Sequence, residues 1–219
     1  MNEKIISADI LNKYQLPDVE EVNRLLTEEA ESSCLKIVVL DDDPTGVQTV
    51  HDVSVYTDWS VESMKEGFAE KNKLFFVLTN SRGFTEEETI KAHREIVNNV
   101  QIAADETGMK YCIIKRSDST LRGHFPLETE IVKEEMEKRN SWKVDGEILC
   151  PYFKEGGRFT LNNVHYVKYG EELVPAGQTE FAGDETFGYI SSNLCEYVEE
   201  KTRGKFKADD CITISLELL

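Results

Sequence analysis

The stretch "IVVLDDDPTGVQT", residues 37–49, places an apolar run directly before three adjacent carboxylates. The run is short and rich in β-branched residues, which predicts a strand buried on both faces of a parallel sheet. Three like charges side by side raise one another's pKa unless a cation, a metal or a hydroxyl-rich ligand compensates them. We therefore expect Asp41, Asp42 and Asp43 to lie at the end of a buried strand and to have such a partner.

Five further short apolar runs share this composition, and we predict that they are strands of the same sheet. They are residues 53–57, 74–78, 111–115, 147–150 and 211–216. Each is rich in β-branched or aromatic residues, as the strands of buried parallel sheets are. The last run stops with no covering helix after it, so we expect the natural polypeptide to continue past residue 219.

Helical segments alternate with these strands. They are predicted over residues 18–30, 85–105, 126–139 and 187–201. Thr85 with Glu88 forms a capping box, and Pro126 suits the first turn of a helix. Residues 151–183 break the alternation and predict a hairpin or irregular insertion. The pattern predicts an α/β fold with a doubly wound, mostly parallel sheet, a Rossmann-like three-layer sandwich. We expect a helical extension over residues 1–34 and one α/β domain over residues 35–219.

The composition of the chain excludes some classes of partner. The formal net charge is −17, from 25 basic and 42 acidic residues, which argues against nucleic acid or an anionic membrane as the main partner. The five cysteines form no CxxC pair and predict buried, reduced thiols in a cytoplasmic protein. The sequence gives no indication of the oligomeric state.

Ligands of open α/β sheets bind outside the carboxyl ends of the strands, and three polar loops follow predicted strands here. They are residues 41–51, 79–88 and 115–126. Gly46 and Gly123 in two of them predict a close backbone approach or a positive φ. We expect the histidines at positions 51, 93 and 165 to be structural or superficial, and His124 is left open.

The charged residues of these loops divide into two kinds. Guanidinium and ammonium groups suit a carboxylate or phosphate, and arginine can bind one through two parallel hydrogen bonds. Carboxylates can accept hydrogen bonds from sugar hydroxyls, and one of them could take a hydroxyl proton during transfer. The loops therefore predict a small ligand that carries both a carboxylate and several hydroxyls. The cations are Arg82, Lys115, Arg116 and Arg122, and the carboxylates are Asp41, Asp42, Asp43 and Asp118.

Several common nucleotide and metal motifs are absent from the sequence. It contains no GxxxxGK[ST] phosphate loop, no GxGxxG after a strand, no HExxH and no CxxC. If the protein uses a nucleotide, we do not expect this chain to cradle its phosphates.

Four stretches carry a resemblance to a known family. They are "LDDDPTGVQTVHDVSVYTDWS", "LTNSRGFTEEE", "IIKRSDSTLRGHFPLE" and "VPAGQTEFAGDETFGY". Over residues 36–219 the chain resembles the N-terminal, sugar-acid-binding domain of the four-carbon acid sugar kinase family, once catalogued as a domain of unknown function.

The resemblance implies an ATP-dependent kinase that phosphorylates the terminal hydroxyl of an erythronate-, threonate- or 3-oxo-tetronate-like acid. It implies that the substrate lies between two domains and that ATP and Mg²⁺ are bound mainly by a C-terminal domain, in the same or a companion chain, that this sequence lacks. Whether magnesium touches this chain is left open, and so is which aspartate acts as the base. The resemblance implies that the residues facing the sugar acid are Asp41, Asp42, Asp43, Ser81, Arg82, Lys115, Asp118, Ser119 and Arg122. We expect a catalytic role for Asp41, Asp42 and Asp43, and we expect Arg116 to bind the substrate with the other loop cations.

Two alternatives remain at this point. "IVVLDDDPT" also fits the DxDxT signature of haloacid-dehalogenase-type phosphatases, with Asp41 as nucleophile, Asp43 as acid and base, Lys115 as charge stabiliser and Mg²⁺. That chemistry needs a later acidic pair after a strand, and the "GD" at residues 183–184 follows no apolar run. The other alternative is a sugar-acid-binding module without catalytic activity.

Overall fold

The computed structural model describes residues 3–14, 17–140 and 143–218. Its strands are β1 (Ile6–Ser7), β2 (Leu35–Asp41), β3 (Val55–Tyr56), β4 (Leu74–Leu78), β5 (Lys110–Arg116), β6 (Arg158–Leu161), β7 (Val164–Tyr169) and β8 (Glu172–Pro175). Its α-helices are α1 (Val19–Ser32), α2 (Val61–Ala69), α3 (Glu86–Thr107), α4 (Leu127–Arg139) and α5 (Leu194–Lys201).

The chain forms two compact units. The sheet unit comprises residues 15–117 and 127–146, and the hairpin unit comprises residues 1–14, 118–126 and 147–219. The predicted division into residues 1–34 and 35–219 stays a prediction. The ranges of the two units include a few residues that lie outside the described part of the chain, namely residues 1, 2, 15, 16, 141, 142 and 219.

The sheet unit contains a parallel sheet with the strand order β3-β4-β2-β5, flanked by helices. Its core lies between the central strands and the helices α2, α3 and α4. Leu40 and Phe75 from the strands pack in one buried cluster with Met64, Ile96 and Met136 from the helices. This architecture confirms the predicted α/β fold class.

The register of the parallel strands decides where the acidic stretch lies. In the β2 ladder, Asp41 lies opposite Leu78 of β4 and opposite Arg116 of β5. The three strands therefore end at the same level, and the residues that follow them emerge at one edge of the sheet.

The helix starts follow the capping signals in the sequence. The Asp18 carboxylate accepts from the Glu20 backbone N–H at 2.9 Å and caps α1. Thr85 and Glu88 form the predicted capping box at the start of α3, and α4 begins directly after Pro126. These three predicted helices are confirmed, whereas the sequence did not predict α2. No helix in the described part of the chain is long and apolar enough to cross a membrane.

The hairpin unit contains an antiparallel sheet with the order β1-β8-β7-β6. Its strands β6, β7 and β8 come from residues 151–183, so the predicted hairpin insertion is confirmed. Ala8, Tyr166 and Leu173 form a small buried cluster at this sheet. A second cluster of the same unit joins the buried rings of Tyr189 and Tyr197 to Leu121.

Two of the predicted strands are wrong. Residues 147–150 and 211–215 have no regular secondary structure, and Leu216–Leu218 is a short 3-10 helix. Ile148 is 85% exposed and Ile212 is 92% exposed. Apolar, β-branched composition shows that a segment suits a pleated surface, but a strand also needs a neighbour to pair with.

The predicted helix over residues 187–201 begins later than expected, at Leu194. Asn193 is its N-cap, and the Asn193 side chain accepts from the Cys195 N–H at 3.0 Å. A capping asparagine fixes the start of a helix because it satisfies N–H groups of the first turn.

All five cysteines are free thiols, as the sequence predicted. Cys34 and Cys150 are exposed and the other three are only partly buried, so the expectation of fully buried cysteines is wrong. Cys150 is exposed because its predicted strand does not form.

Gly67 in α2 gives a test of the packing in the sheet unit. A Cβ at this position would lie 2.8 Å from the ring of Phe75, which is fully buried. Overpacking costs about 1–3 kcal/mol, and the better helix propensity of alanine offsets about 1 kcal/mol of that. We expect Gly67→Ala to lower the free energy of unfolding by about 1 kcal/mol, the middle of the remaining range, measured by urea unfolding.

Gly83→Ala is the matched control, because a Cβ there meets nothing within 4 Å. Its free energy of unfolding is expected to stay within about 0.5 kcal/mol of the wild-type value. Equal unfolding midpoints for Gly67→Ala and Gly83→Ala would contradict the packing described for α2.

Candidate functional site

Backbone hydrogen bonds continue past the strand ends and tie three loops of the sheet unit together. The Thr79 N–H donates to the Asp41 carbonyl at 2.8 Å, and the Arg82 N–H donates to the Asp42 carbonyl at 3.2 Å. On the other side, the Asp42 N–H lies 3.4 Å from the Arg116 carbonyl. The acidic loop is therefore fixed between its two neighbours.

The 3-10 turn Ser81–Gly83 follows a residue with left-handed backbone, Asn80, whose φ is 53°. Asparagine adopts this conformation more readily than most residues. The chain reverses there, which allows the Arg82 backbone to return to Asp42.

Arg82 compensates two of the three aspartates. Its guanidinium donates to Asp42 through Nη2 at 2.7 Å and Nε at 3.3 Å, and to Asp43 through Nη1 at 3.1 Å. The Ser117 hydroxyl also donates to Asp42, at 2.6 Å. A guanidinium in this geometry supplies charge and directed donors together. The cation that the acidic stretch needs is thus supplied by the protein.

Asp41 is enclosed at the end of β2 and is only 1% exposed. Its carboxylate Oδ1 lies 3.3 Å from Nη1 of Arg116. Burial raises the pKa of Asp41, and the charge of Arg116 opposes that rise. A Cβ at Gly46 would lie 1.7 Å from Asp41 Oδ2, so the predicted close approach at Gly46 is confirmed and no larger residue fits there.

Asp43 is the accessible member of the cluster. Its side chain is 24% exposed, against 1% for the side chain of Asp42. Burial alone would raise the pKa of Asp43, but hydrogen bonds from Thr45 and the charge of Arg82 outweigh it and lower that pKa. Asp43 is therefore a charged, reachable hydrogen-bond acceptor at neutral pH.

Two of the predicted substrate-binding side chains, the buried Ser81 and the partly buried Lys115, bind the same carboxylate, Glu128. The Ser81 hydroxyl donates to Glu128 Oε1 at 2.5 Å, and Lys115 Nζ lies 3.1 Å from Glu128 Oε2. Sequence reasoning missed Glu128. Glu128 is the last residue of the stretch "IIKRSDSTLRGHFPLE", which carried the family resemblance. Acidic residues are common in the first turns of helices, however, so its position alone did not indicate a role in the site.

The loop of residues 118–126 belongs to the hairpin unit. The Asp118 carboxylate accepts from Arg122 Nε at 2.5 Å and from the Thr120 N–H at 3.2 Å. Burial alone would raise the pKa of Asp118, but these hydrogen bonds and the charge of Arg122 lower it. The Arg122 guanidinium also lies over the Phe181 ring, 5.1 Å from its centroid.

Three buried side chains hold this loop by its carbonyl groups. His165 Nε2 lies 2.7 Å from the Ser119 carbonyl, Tyr189 donates to the Thr120 carbonyl at 2.7 Å, and Tyr197 donates to the Leu121 carbonyl at 3.0 Å. Sequence reasoning did not connect these residues to the loop, because they lie far from it along the chain. Gly123 has a φ of 139°, which confirms the predicted positive φ.

Three of the four histidines are buried. His165 is fully buried, Thr160 Oγ1 lies 2.9 Å from its Nδ1, and burial lowers the pKa of His165. The Ser119 carbonyl can only accept, so Nε2 carries the proton of the neutral ring. His51 is exposed, whereas His93 and His124 are buried. His124 packs edge-on against Phe187.

The sequence-predicted site residues thus fall into two groups. Within the described residues, no group of three or more His, Cys, Asp or Glu side chains is arranged to hold a metal ion. The aspartates at positions 41 to 43 are paired with arginines instead. Asp41, Asp42, Asp43, Ser81, Arg82, Lys115 and Arg116 are brought together in the sheet unit, and Asp118, Ser119 and Arg122 lie in the hairpin unit.

Residues 37–216 match the family model described as the sugar-binding N-terminal domain. The chain belongs to this domain family of the four-carbon acid sugar kinases. The match includes every residue of both groups above and confirms the resemblance stated from the sequence motifs.

One solved structure gives independent support for the fold of this sugar-binding domain. It is a protein from Bordetella bronchiseptica, described as a domain of unknown function with bound citrate and as a domain-swapped dimer. The two chains are 23% identical with a TM-score of 0.54, and the match covers 74% of this chain and 39% of that chain. This likeness shows that the two chains share a fold. No curated protein matches the chain.

The lowered pKa of Asp118 predicts a pH dependence of stability. Because its folded-state pKa lies below the ordinary value of 3.8, the stabilisation is complete above that value and is lost as the pH falls through the lowered pKa. At pH 7, Asp118→Asn is expected to lower the free energy of unfolding by about 1–3 kcal/mol. The deficit should shrink as the pH falls below about 4, which urea unfolding at a series of pH values measures.

Asp209→Asn, a change at an exposed carboxylate of the same unit, is the control and should follow the wild type at every pH. A deficit of Asp118→Asn that stays constant down to acid pH would contradict the role given to the Asp118 charge.

Proposed function

We propose that this sugar-binding domain binds a four-carbon acid sugar of the erythronate, threonate or 3-oxo-tetronate type at the carboxyl edge of its parallel sheet. It does so as the substrate-binding part of an ATP-dependent kinase that phosphorylates the terminal hydroxyl. The single observation that carries the proposal is the Arg82 guanidinium, which is held between the carboxylates of Asp42 and Asp43.

Two arginines suit the acid end of such a ligand. The side chains of Arg82 and Arg116 are 23% and 31% exposed, while the carboxylates that hold them, Asp42 and Asp41, are buried. A guanidinium held in place by a buried partner loses less side-chain entropy when it binds a carboxylate. The arrangement therefore favours a small anion at the sheet edge.

Asp43 suits the hydroxyl end. Its lowered pKa keeps it charged at neutral pH, and a charged carboxylate is a strong acceptor for a sugar hydroxyl. In phosphoryl transfer most of the catalytic effect comes from positioning and charge stabilisation. We therefore give Asp43 the role of orienting the terminal hydroxyl, and Asp41 and Asp42 the role of fixing the arginines.

The ATP-dependent step is assigned to a nucleotide-binding domain in the same or a companion chain. The chain spans 39% of the length of the solved chain that it matches and contains no phosphate loop. The aspartates do not form a metal cluster within the described residues, and the magnesium is assigned to the same nucleotide-binding domain. The bound citrate of that solved protein is itself a small carboxylic acid, which is consistent with an acid ligand.

We also propose a cytoplasmic location for the protein. The five free thiols support it, because disulfides are rare in the cytoplasm.

The phosphatase hypothesis lacks an accessible nucleophile. Asp41 would have to reach a phosphorus atom, yet it is 1% exposed and closely packed against Gly46. The family match also assigns the acidic stretch to sugar-binding domains. The burial of Asp41 therefore argues against the phosphatase hypothesis.

Calorimetric titration with erythronate, threonate and 3-oxo-tetronate tests the proposal. The wild-type chain is expected to bind one of these acids, and Asp43→Asn to bind it about tenfold more weakly, a loss of about 1.4 kcal/mol. The reason is that the amide of asparagine accepts a hydroxyl hydrogen bond less strongly than a carboxylate does.

Asp209→Asn, which has the same chemical change at an exposed site, is expected to bind like the wild type. Succinate, which has two carboxylates but no hydroxyls, serves as the ligand control. Equal affinity for succinate and the tetronates, or no effect of Asp43→Asn, would contradict the assignment of Asp43 to the hydroxyl end.

A further inference from the structure

Glu128 is a buried carboxylate at the centre of a polar network in the sheet unit. It is 2% exposed and lies in the first turn of α4. Its two oxygens contact side chains from three other parts of the unit. Ser81 donates to Oε1 at 2.5 Å, His93 Nε2 lies 3.4 Å from Oε1, and Lys115 Nζ lies 3.1 Å from Oε2.

The network continues from Glu128 to the acidic loop. The Ser81 backbone N–H donates to the Thr79 hydroxyl at 3.4 Å, and that hydroxyl donates to the Asp41 carbonyl at 3.0 Å. Ser81 directly precedes Arg82 in the 3-10 turn. The contact with Glu128 therefore fixes the turn from which the Arg82 guanidinium reaches Asp42 and Asp43.

Charge keeps this carboxylate in place. A buried carboxylate is tolerated when a cation and hydrogen-bond donors satisfy it, and the ammonium of Lys115, whose side chain is 9% exposed, supplies that cation. The position in the first turn of α4 adds a favourable interaction with the helix dipole. The interaction links α4 to the ends of β4 and β5.

We propose that Glu128 is a positioning residue for the sugar-acid site: it holds the Ser81–Gly83 turn so that the Arg82 guanidinium stays between Asp42 and Asp43. The inference rests on the proposed function and extends it to a residue outside the three polar loops. At 2% exposure, Glu128 is too deeply buried to contact a ligand at the sheet edge. It acts through Arg82.

A double-mutant cycle on tetronate affinity tests this role. Glu128→Gln keeps the size of the side chain but removes its charge. In the wild-type background we expect it to weaken tetronate binding about tenfold. In an Arg82→Gln background, Glu128→Gln should lower the tetronate affinity less than about twofold, because the guanidinium that Glu128 positions is already absent. A stability effect alone would give the same loss in both backgrounds, and that result would overturn the proposal.

Glu134→Gln is the matched control, because Glu134 lies on the same helix and is exposed. Its tetronate affinity should equal that of the wild type. Thermal unfolding of each variant identifies those that have lost their fold. If Glu128→Gln proves unfolded, Ser81→Ala breaks the same link without a change of charge, and its loss of affinity should likewise depend on Arg82.

A second readout needs no ligand and separates this inference from the proposed function. Hydrogen exchange of the backbone amides of residues 80–84 reports how firmly the turn is held. In the ligand-free chain, Glu128→Gln should speed exchange of the Arg82 amide at least about tenfold, while Glu134→Gln leaves it unchanged. Unchanged exchange in Glu128→Gln would overturn the positioning role. A wild-type chain that binds no tetronate would instead overturn the proposed function, and the exchange result would still decide the role of Glu128.

Discussion

The pairing of Arg82 with Asp42 and Asp43 is the interaction on which the rest of the site depends. Removing carboxylates from water costs several kcal/mol each unless cations and hydrogen bonds satisfy them. Here the guanidinium supplies three N–H donors to two adjacent carboxylates. The acidic stretch therefore holds the Arg82 side chain in one position. Asp42 can stay buried only while Arg82 is paired with it, and this requirement keeps the two residues together.

The parallel sheet makes this pairing possible over a long sequence separation. Strands β2, β4 and β5 run in the same direction and end at the same level. As a consequence, Asp42 meets Arg82 from forty positions later and Ser117 from seventy-five positions later. Buried polar side chains behind the edge, such as Glu128, then hold the loops in position. A polar site of this kind is stable because almost every charge in it has a partner.

The sequence predicted the fold class and the polar loops that follow the strands, because both depend on local patterns. The apolar run before Asp41, the capping box at Thr85 and Glu88, and the polar stretch of residues 115–126 are all visible in neighbouring residues. The two false strands, residues 147–150 and 211–216, show the limit of this approach, since strand formation depends on a partner elsewhere in the chain. For the same reason the pairing of particular carboxylates with particular arginines, and the role of Glu128, could not be predicted. The charge of a residue and its position in a loop identify it as a candidate site residue, but its burial and its distances to other groups are needed to infer its role.

A crystal structure of the chain soaked with the tetronate that it binds most tightly tests the central claim most directly. The account predicts the ligand carboxylate within hydrogen-bond distance of the Arg82 and Arg116 guanidinium groups, and a ligand hydroxyl within the same distance of the Asp43 carboxylate. It also predicts that Arg82 keeps its contact with Asp42. A tetronate found away from the carboxyl edge of the parallel sheet, with Arg82 and Asp43 untouched, would contradict it.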